Sequence, residues 1–170
     1  MNEEFIKEKY NFKDVLDIVH KLRQPDGCPW DSVQTYETMK KCVTDEAQEV
    51  VEAVDNNDYI NLKEELGDLL LQVLMYSEIA KEKDEFTLDD VIDELGKKLV
   101  RRHPNVFTQE EEVKKLDIEE GLSIWKAVKK KEKLDKLQEY ESAYSAGKIS
   151  KELIEMKRKS VQSLYLCEKL

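Results

Sequence analysis

A chain of 170 residues holds one domain of ordinary size and leaves little room for a second. Its 28 Lys and Arg stand against 38 Asp and Glu, a formal charge of −10, which argues against a bulk cationic surface for nucleic acid. Five Gly and three Pro among 39% charged and 40% hydrophobic residues are the mix of helices with long solvated faces, so an all-α fold is expected.

Phe12, Val15, Leu16, Val19 and Leu22 share one face of a first helix over about 12–24, which Pro25 ends. The loop Gln24-Pro25-Asp26-Gly27-Cys28-Pro29-Trp30-Asp31 is rich in turn residues. Segments 36–55 and 59–83 have strong 3.6-residue periodicity, and between them Asp55-Asn56-Asn57-Asp58 suits a helix end, a tight turn and an Asp N-cap. An antiparallel helical hairpin is expected. Thr87-Leu88-Asp89-Asp90 reads as a capping box opening a fourth helix that runs to about 102 and is stopped by Pro104. A polar loop leads to Asp117, which caps a helix of about 119–146 ended by Gly147, and a last amphipathic helix covers about 150–168. Strand-like alternation and repeats are absent from the sequence.

No run approaches the ~20 apolar residues that cross a bilayer. Met1-Asn2-Glu3-Glu4 has neither the basic nor the apolar region of a signal peptide, so a cytoplasmic protein is expected, with no membrane and no nucleic acid as partner. Cys28, Cys42 and Cys167 form no CxxC pair and read as reduced thiols.

The acidity is uneven. Residues 126–159 hold 11 basic and 6 acidic side chains, which leaves the remainder at −15. Within the hairpin, Val43, Ala47, Val50 and Val54 form an apolar stripe edged by Glu46 and Glu49. Shifted by 19 positions the pattern returns as Leu62, Leu66, Leu69 and Val73, edged by Glu65 and Asp68. Residues three apart lie about 60° apart on a helix, so each pair sets two carboxylates side by side. A turn centred between Asn56 and Asn57 mirrors 46–49 onto 64–67, so Glu46, Glu49, Glu65 and Asp68 are expected at one level. Four anions beside an apolar seam repel one another, and a divalent cation resolves the conflict. All-oxygen ligation favours Mg²⁺ or Mn²⁺ over zinc. The bland alternative is a solvated acidic face, and spacing alone does not choose between them. Glu-x-x-His, GxxxxGK[ST], GxSxG and HExxH are all absent, and His20 is given no role.

Four segments together resemble a known family. Leu22-Arg23-Gln24-Pro25-Asp26-Gly27-Cys28-Pro29-Trp30-Asp31 with Gln34-Thr35 resembles the opening signature of MazG-type nucleoside triphosphate pyrophosphohydrolases. Asp45-Glu46-Ala47-Gln48-Glu49 resembles the EExxE element, and Glu65-Leu66-Gly67-Asp68 the ExxD element. Lys98-Leu99-Val100-Arg101-Arg102-His103-Pro104-Asn105-Val106-Phe107 is similar to KLxRRHPHVF.

The resemblance spans about residues 12–133. It implies an all-α, four-helix-bundle type fold completed by dimerisation, in a homodimer or a dimer of dimers. It makes residues 1–133 the pyrophosphohydrolase domain and 134–170 a C-terminal helical extension. It makes Glu46, Glu49, Glu65 and Asp68 the Mg²⁺ ligands, and these four with Asp45 the catalytic carboxylates. Lys98 and Arg102 are implied as triphosphate contacts, and Trp125 with Lys129 as nucleotide contacts, Trp30 joining the substrate-binding set from the signature loop. The implied reaction converts a nucleoside triphosphate and water to the monophosphate and pyrophosphate, clearing non-standard or surplus nucleotides.

Three departures bear on this reading: Asp45 replaces the first Glu of EExxE, Asn105 the second His of HPHVF, and Tyr36 a usual His. Asp45 lies about 100° from Glu46 around the helix and suits a water or outer contact. The alternatives are a dUTP, dCTP or phosphoribosyl-ATP pyrophosphatase of the same superfamily, or a weakly active interaction or regulatory module.

Overall fold

The computed structural model describes residues 5–107 and 116–166, whose regular elements are all helices, with no strand among them. The polar loop expected before Asp117 falls largely on 108–115, and the end of the last helix, with Cys167, on 167–170; both lie outside the described residues. The chain divides into two compact units, Met1–Glu94 and Leu95–Leu170.

In the first unit, α1 (Phe12–Leu22) opens on a reciprocal box. Asp14 N–H donates to the Asn11 side chain at 3.1 Å, and Asn11 N–H donates to Asp14 at 2.9 Å. The helix ends two residues before the expected 24, because the residue preceding Pro25 is disfavoured in helical backbone. The loop then folds back on the helix end, Cys28 N–H reaching Leu22 O at 2.8 Å. A Cβ at Gly27 would stand 2.2 Å from the Lys21 carbonyl oxygen, so only glycine fits there. Arg23, buried, fixes the far side of the loop. Its Nε and Nη2 fork onto Glu82 at 2.7 and 2.6 Å, and Nη1 donates to Asp31 O at 2.7 Å and Gln34 O at 3.3 Å. A single 3-10 turn, Asp31–Val33, closes the segment.

Helix α2 (Met39–Asp55) starts three residues later than periodicity indicated, because Tyr36 leaves the helical path to enter the core. Its ring stacks on Tyr76 at 6.0 Å, and its hydroxyl donates to Glu85 at 2.6 Å. That hydrogen bond, then burial and the charge of Glu85, push the Tyr36 phenol up to about 12. The hairpin turn is as read: Asn57 adopts φ 54°, and the Asp58 side chain accepts from Asn61 N–H at 3.1 Å to open α3 (Tyr59–Glu82).

Helix α3 packs on α2 and, toward its C-terminal half, on α1. Val19, Met39, Leu74, Met75 and Ile79 form the buried cluster, flanked by Val15, Leu16, Cys42, Leu71 and Leu88. Leu74 has no exposed surface, so Leu74→Ala is expected to destabilise the chain by about 2–5 kcal/mol in denaturant titration. The apolar stripes do not fill the seam as their spacing implied. Leu66, Val73 and Val54 are 51%, 41% and 54% exposed, whereas Ala53, Glu65 and Gln72 are buried. The hairpin buries Glu65 of its acidic edge, leaves Glu49 exposed, and leaves several apolar side chains outside.

The capping box at Thr87 opens α4 (Leu88–Arg102): Thr87 N–H donates to Asp90 at 2.8 Å and Asp90 N–H returns to Thr87 Oγ1 at 3.3 Å. In the second unit, Asp117 and Glu120 form the reciprocal box that opens α5 (Ile118–Ser145). Gly147, at φ 70°, ends the turn of chain beyond it. Helix α6 (Lys151–Leu166) packs back on α5, burying Ile154 and Val161, and Arg158 forks onto Glu141 with two 2.6 Å bonds.

Candidate active site

The hairpin register carries the acidic site. Glu46 and Glu49 occupy consecutive turns of α2, Glu65 faces them from the first half of α3, and oxygens of all three lie within 4.8 Å of one another. Asp68 stands outside that group of three, but its charge acts on both Glu46 and Glu65. Burial first, then the charges of Asp68, Glu49 and Asp45, raise the Glu46 carboxyl above its ordinary value. Glu65 is raised as well, by burial, the charge of Glu49, a hydrogen bond shared with Glu49, and the charges of Asp68 and Glu64. Both groups are held in surroundings that disfavour their charged form.

Around this cluster, Asp45 pairs with Lys41 one turn back on α2. Gln72, two turns beyond Glu65 on the same face of α3 and buried, reaches Glu46 Oε1 with its amide nitrogen at 3.5 Å. The other end of that amide, Gln72 Oε1, is buried without a hydrogen-bond partner among the described residues. Converging carboxylates, with Glu46 and Glu65 raised, and an orphaned carbonyl oxygen beside them form an all-oxygen donor set. Such a set fits a hard divalent cation.

The residues expected to meet the nucleotide fall in the second unit, apart from Trp30. Lys98 and Arg102 lie one turn apart on α4. Trp125 and Lys129 lie one turn apart on α5, with Lys129 Nζ 4.6 Å from the centre of the indole and the Arg102 guanidinium 5.4 Å from it. Glu132, a residue the sequence reading passed over, accepts from Arg101 at 2.6 Å and from Arg102 at 2.8 and 2.7 Å. Its place seven residues after Trp125, on the same face of α5, was the available signal. Trp30, on the loop after α1, is 58% exposed, and its carbonyl accepts from Gln34 Nε2 at 2.8 Å. His20, given no role from sequence, sits against buried Glu78, Nδ1 to Oε2 at 2.7 Å.

Residues 34–107 match the MazG nucleotide pyrophosphohydrolase domain. The chain is 34% identical to a mazG-related protein from Thermotoga maritima of known crystal structure, with a TM-score of 0.57 over 69% of this chain and 98% of that one. The chain belongs to the MazG family. It is 48% identical over 96 residues to the nucleoside triphosphate pyrophosphohydrolase/pyrophosphatase MazG of Thermotoga maritima, covering 56% of this chain and 38% of that protein. Against the nucleoside triphosphate pyrophosphohydrolase of Escherichia coli, it is 37% identical over 125 residues, 73% of this chain and 46% of that one. The chain thus spans less than half the length of these curated relatives.

Proposed function

We propose that this chain is a divalent-cation-dependent nucleoside triphosphate pyrophosphohydrolase, converting a nucleoside triphosphate and water to the monophosphate and pyrophosphate. The observation that carries the reading is the meeting of Glu46, Glu49 and Glu65 within 4.8 Å, inside the segment that matches the family. Glu46, Glu49, Glu65 and Asp68 would hold Mg²⁺ or Mn²⁺. When bound there, the cation supplies charge neutralisation for phosphate oxygens and acidifies water for attack on phosphorus. The chain's own groups do the rest. Lys98 and Arg102 would bind phosphate oxygens, Trp125 and Lys129 would meet the nucleoside end, and Trp30 would join the substrate-binding set. Asp45, paired with Lys41, takes an outer role.

On this reading residues 1–133 form the catalytic domain and 134–170 an extension, and the enzyme clears surplus or non-standard nucleotides in the cytoplasm. No helix among the described residues is long and apolar enough to cross a membrane. The test is a panel of purine and pyrimidine nucleoside triphosphates incubated with Mg²⁺ and assayed for pyrophosphate. Release from none of them would favour the weakly active interaction module instead.

The exposed apolar side of the hairpin supports a further part of the proposal. Val51, Val54, Leu66, Leu70 and Val73 are each at least 41% exposed, and Leu66, Leu70 and Val73 follow the i, i+4, i+7 spacing of one helical face. A second copy of the hairpin would cover them and complete a four-helix bundle, in a dimer or a dimer of dimers. Light scattering at micromolar concentration is expected to give at least twice the chain mass, and a stable monomer would refute the pairing.

A further inference from the structure

Helices α4 and α5 share a contact in which the family reading leaves Arg101 and Glu132 without a role. Trp125, Lys129 and Glu132 follow one another along one face of α5. Glu132 divides its two oxygens: Oε1 accepts from Arg101 Nε at 2.6 Å, and Oε2 accepts from Arg102 Nε at 2.8 Å and Nη2 at 2.7 Å. The Glu132 and Arg102 side chains are mostly covered, at 14% and 20% exposure, while Arg101 is half exposed. Burial pushes the Glu132 carboxyl up, but hydrogen bonds from Arg102 and Arg101 outweigh it and hold the group below the ordinary glutamate value. The carboxylate is therefore charged throughout the neutral range.

Without Glu132, Arg102 would sit beside Lys129 and Arg101, with the indole of Trp125 as its remaining attraction among the described contacts. Three cations would then crowd one place, and the long Arg102 side chain would disperse into solvent. With Glu132 present, one anion serves two guanidiniums, and the group of Arg101, Arg102, Lys129 and Glu132 keeps a balance of +2. Glu132 also engages a particular edge of Arg102. A guanidinium has five N–H donors, and Oε2 engages the Nε–H and one Nη2–H, so donors on the Nη1 side are not engaged by Glu132 and could fork onto a phosphate.

We propose that Glu132 is a positioning residue, which sets the Arg102 guanidinium beside Trp125 before any nucleotide arrives and so presents a preformed phosphate-binding edge. The inference rests on the proposed pyrophosphohydrolase reading for the identity of the ligand, and on the geometry alone for the role of Glu132. Ordering an arginine in advance removes a cost otherwise met at binding. A carboxylate that merely occupied the phosphate's place would act in the opposite sense, since its removal would tighten binding.

Glu132→Gln keeps shape and one acceptor oxygen but removes the charge that holds both arginines. Two measurements on the full chain decide the matter. In steady-state kinetics with Mg²⁺, the variant is expected to raise KM about tenfold at nearly unchanged kcat, the scale set by the ordering of one arginine side chain. In a chelator, where the carboxylate cluster takes no part, inorganic triphosphate is titrated against the fluorescence of Trp125 in a Trp30→Phe background. The variant is expected to bind it about tenfold more weakly than Glu132 in the same background. Equal or tighter triphosphate binding by Glu132→Gln overturns the proposal, as does a loss of kcat at constant KM with a lowered melting temperature, the mark of a purely structural tie. If the unsubstituted chain binds triphosphate but releases no pyrophosphate from any nucleotide, the catalytic reading fails and the triphosphate comparison still judges Glu132. Failure of the Trp30→Phe chain with Glu132 intact to bind triphosphate at all overturns the positioning role.

Discussion

Glu65→Gln is expected to lower pyrophosphate release by at least ~10²-fold, the scale seen when a key electrostatic element leaves an active site, while the metal-free chain stays folded and gains stability. The two halves of this result share a cause. Glu65 is buried against Glu49, and its carboxyl is raised by burial, by the Glu49 charge and by the hydrogen bond they share. A carboxyl raised in the folded state costs nothing below its ordinary value of 4.5, where folded and unfolded chains are both protonated. The penalty grows as pH rises from 4.5 through the raised folded value and is complete above it. At neutral pH a glutamine escapes that penalty, and its amide can donate to Glu49 where a second carboxylate repelled it. Melting curves without metal should therefore show the variant above the wild type at pH 7, with the gap closing on acidification. Cation binding needs the ionised cluster, so Mg²⁺ or Mn²⁺ affinity of the wild type should rise with pH over the same window. Chelator should abolish activity and added Mg²⁺ restore it. A sharp loss of stability in the metal-free variant, or activity indifferent to chelator, would remove the cluster from the mechanism.

The acidic cluster was legible because a helical hairpin is a local object: a four-residue turn sets the register, and register alone mirrors Glu46 and Glu49 onto Glu65. Asp68 stands a turn further along α3 and falls outside the closest group, a detail below the resolution of a mirror argument. Helix openings at Asp58, Thr87 and Asp117 were legible for the same reason, since each is fixed by side chains within three residues. Periodicity misled where a side chain had a better distant partner. Tyr36 looked like the first turn of α2, yet its stacking on Tyr76 and bond to Glu85 draw it out of the helix. The stripe of Leu66 and Val73 looked like the seam, yet buried Glu65 and Gln72 take part of that place, because apolar spacing identifies a face without saying what covers it. Arg23 with Glu82, His20 with Glu78 and Arg102 with Glu132 join residues 59, 58 and 30 positions apart, and no local pattern announces such pairs.

Trp125→Ala is expected to raise KM roughly tenfold to a hundredfold, following the ~1–3 kcal/mol that stacking on an aromatic ring contributes per base. The turnover number should change far less, because on the proposed reading the ring would touch the nucleoside rather than the reacting phosphorus. The ring is half-buried on α5 with Lys129 at 4.6 Å and Arg102 at 5.4 Å from its centre, so its loss also frees two cations that it holds in place. Arg102→Ala separates the two contributions. Its guanidinium would contact phosphate oxygens, which are common to all nucleotides, so kcat/KM should fall by the same factor for purine and pyrimidine substrates. Trp125→Ala should instead weaken purines more than pyrimidines, since the larger base loses the larger stacked area. Steady-state kinetics on one purine and one pyrimidine triphosphate test both statements. An unchanged KM in Trp125→Ala would return the indole to a packing role between α4 and α5, and a base-dependent loss in Arg102→Ala would move that guanidinium from the phosphates to the base.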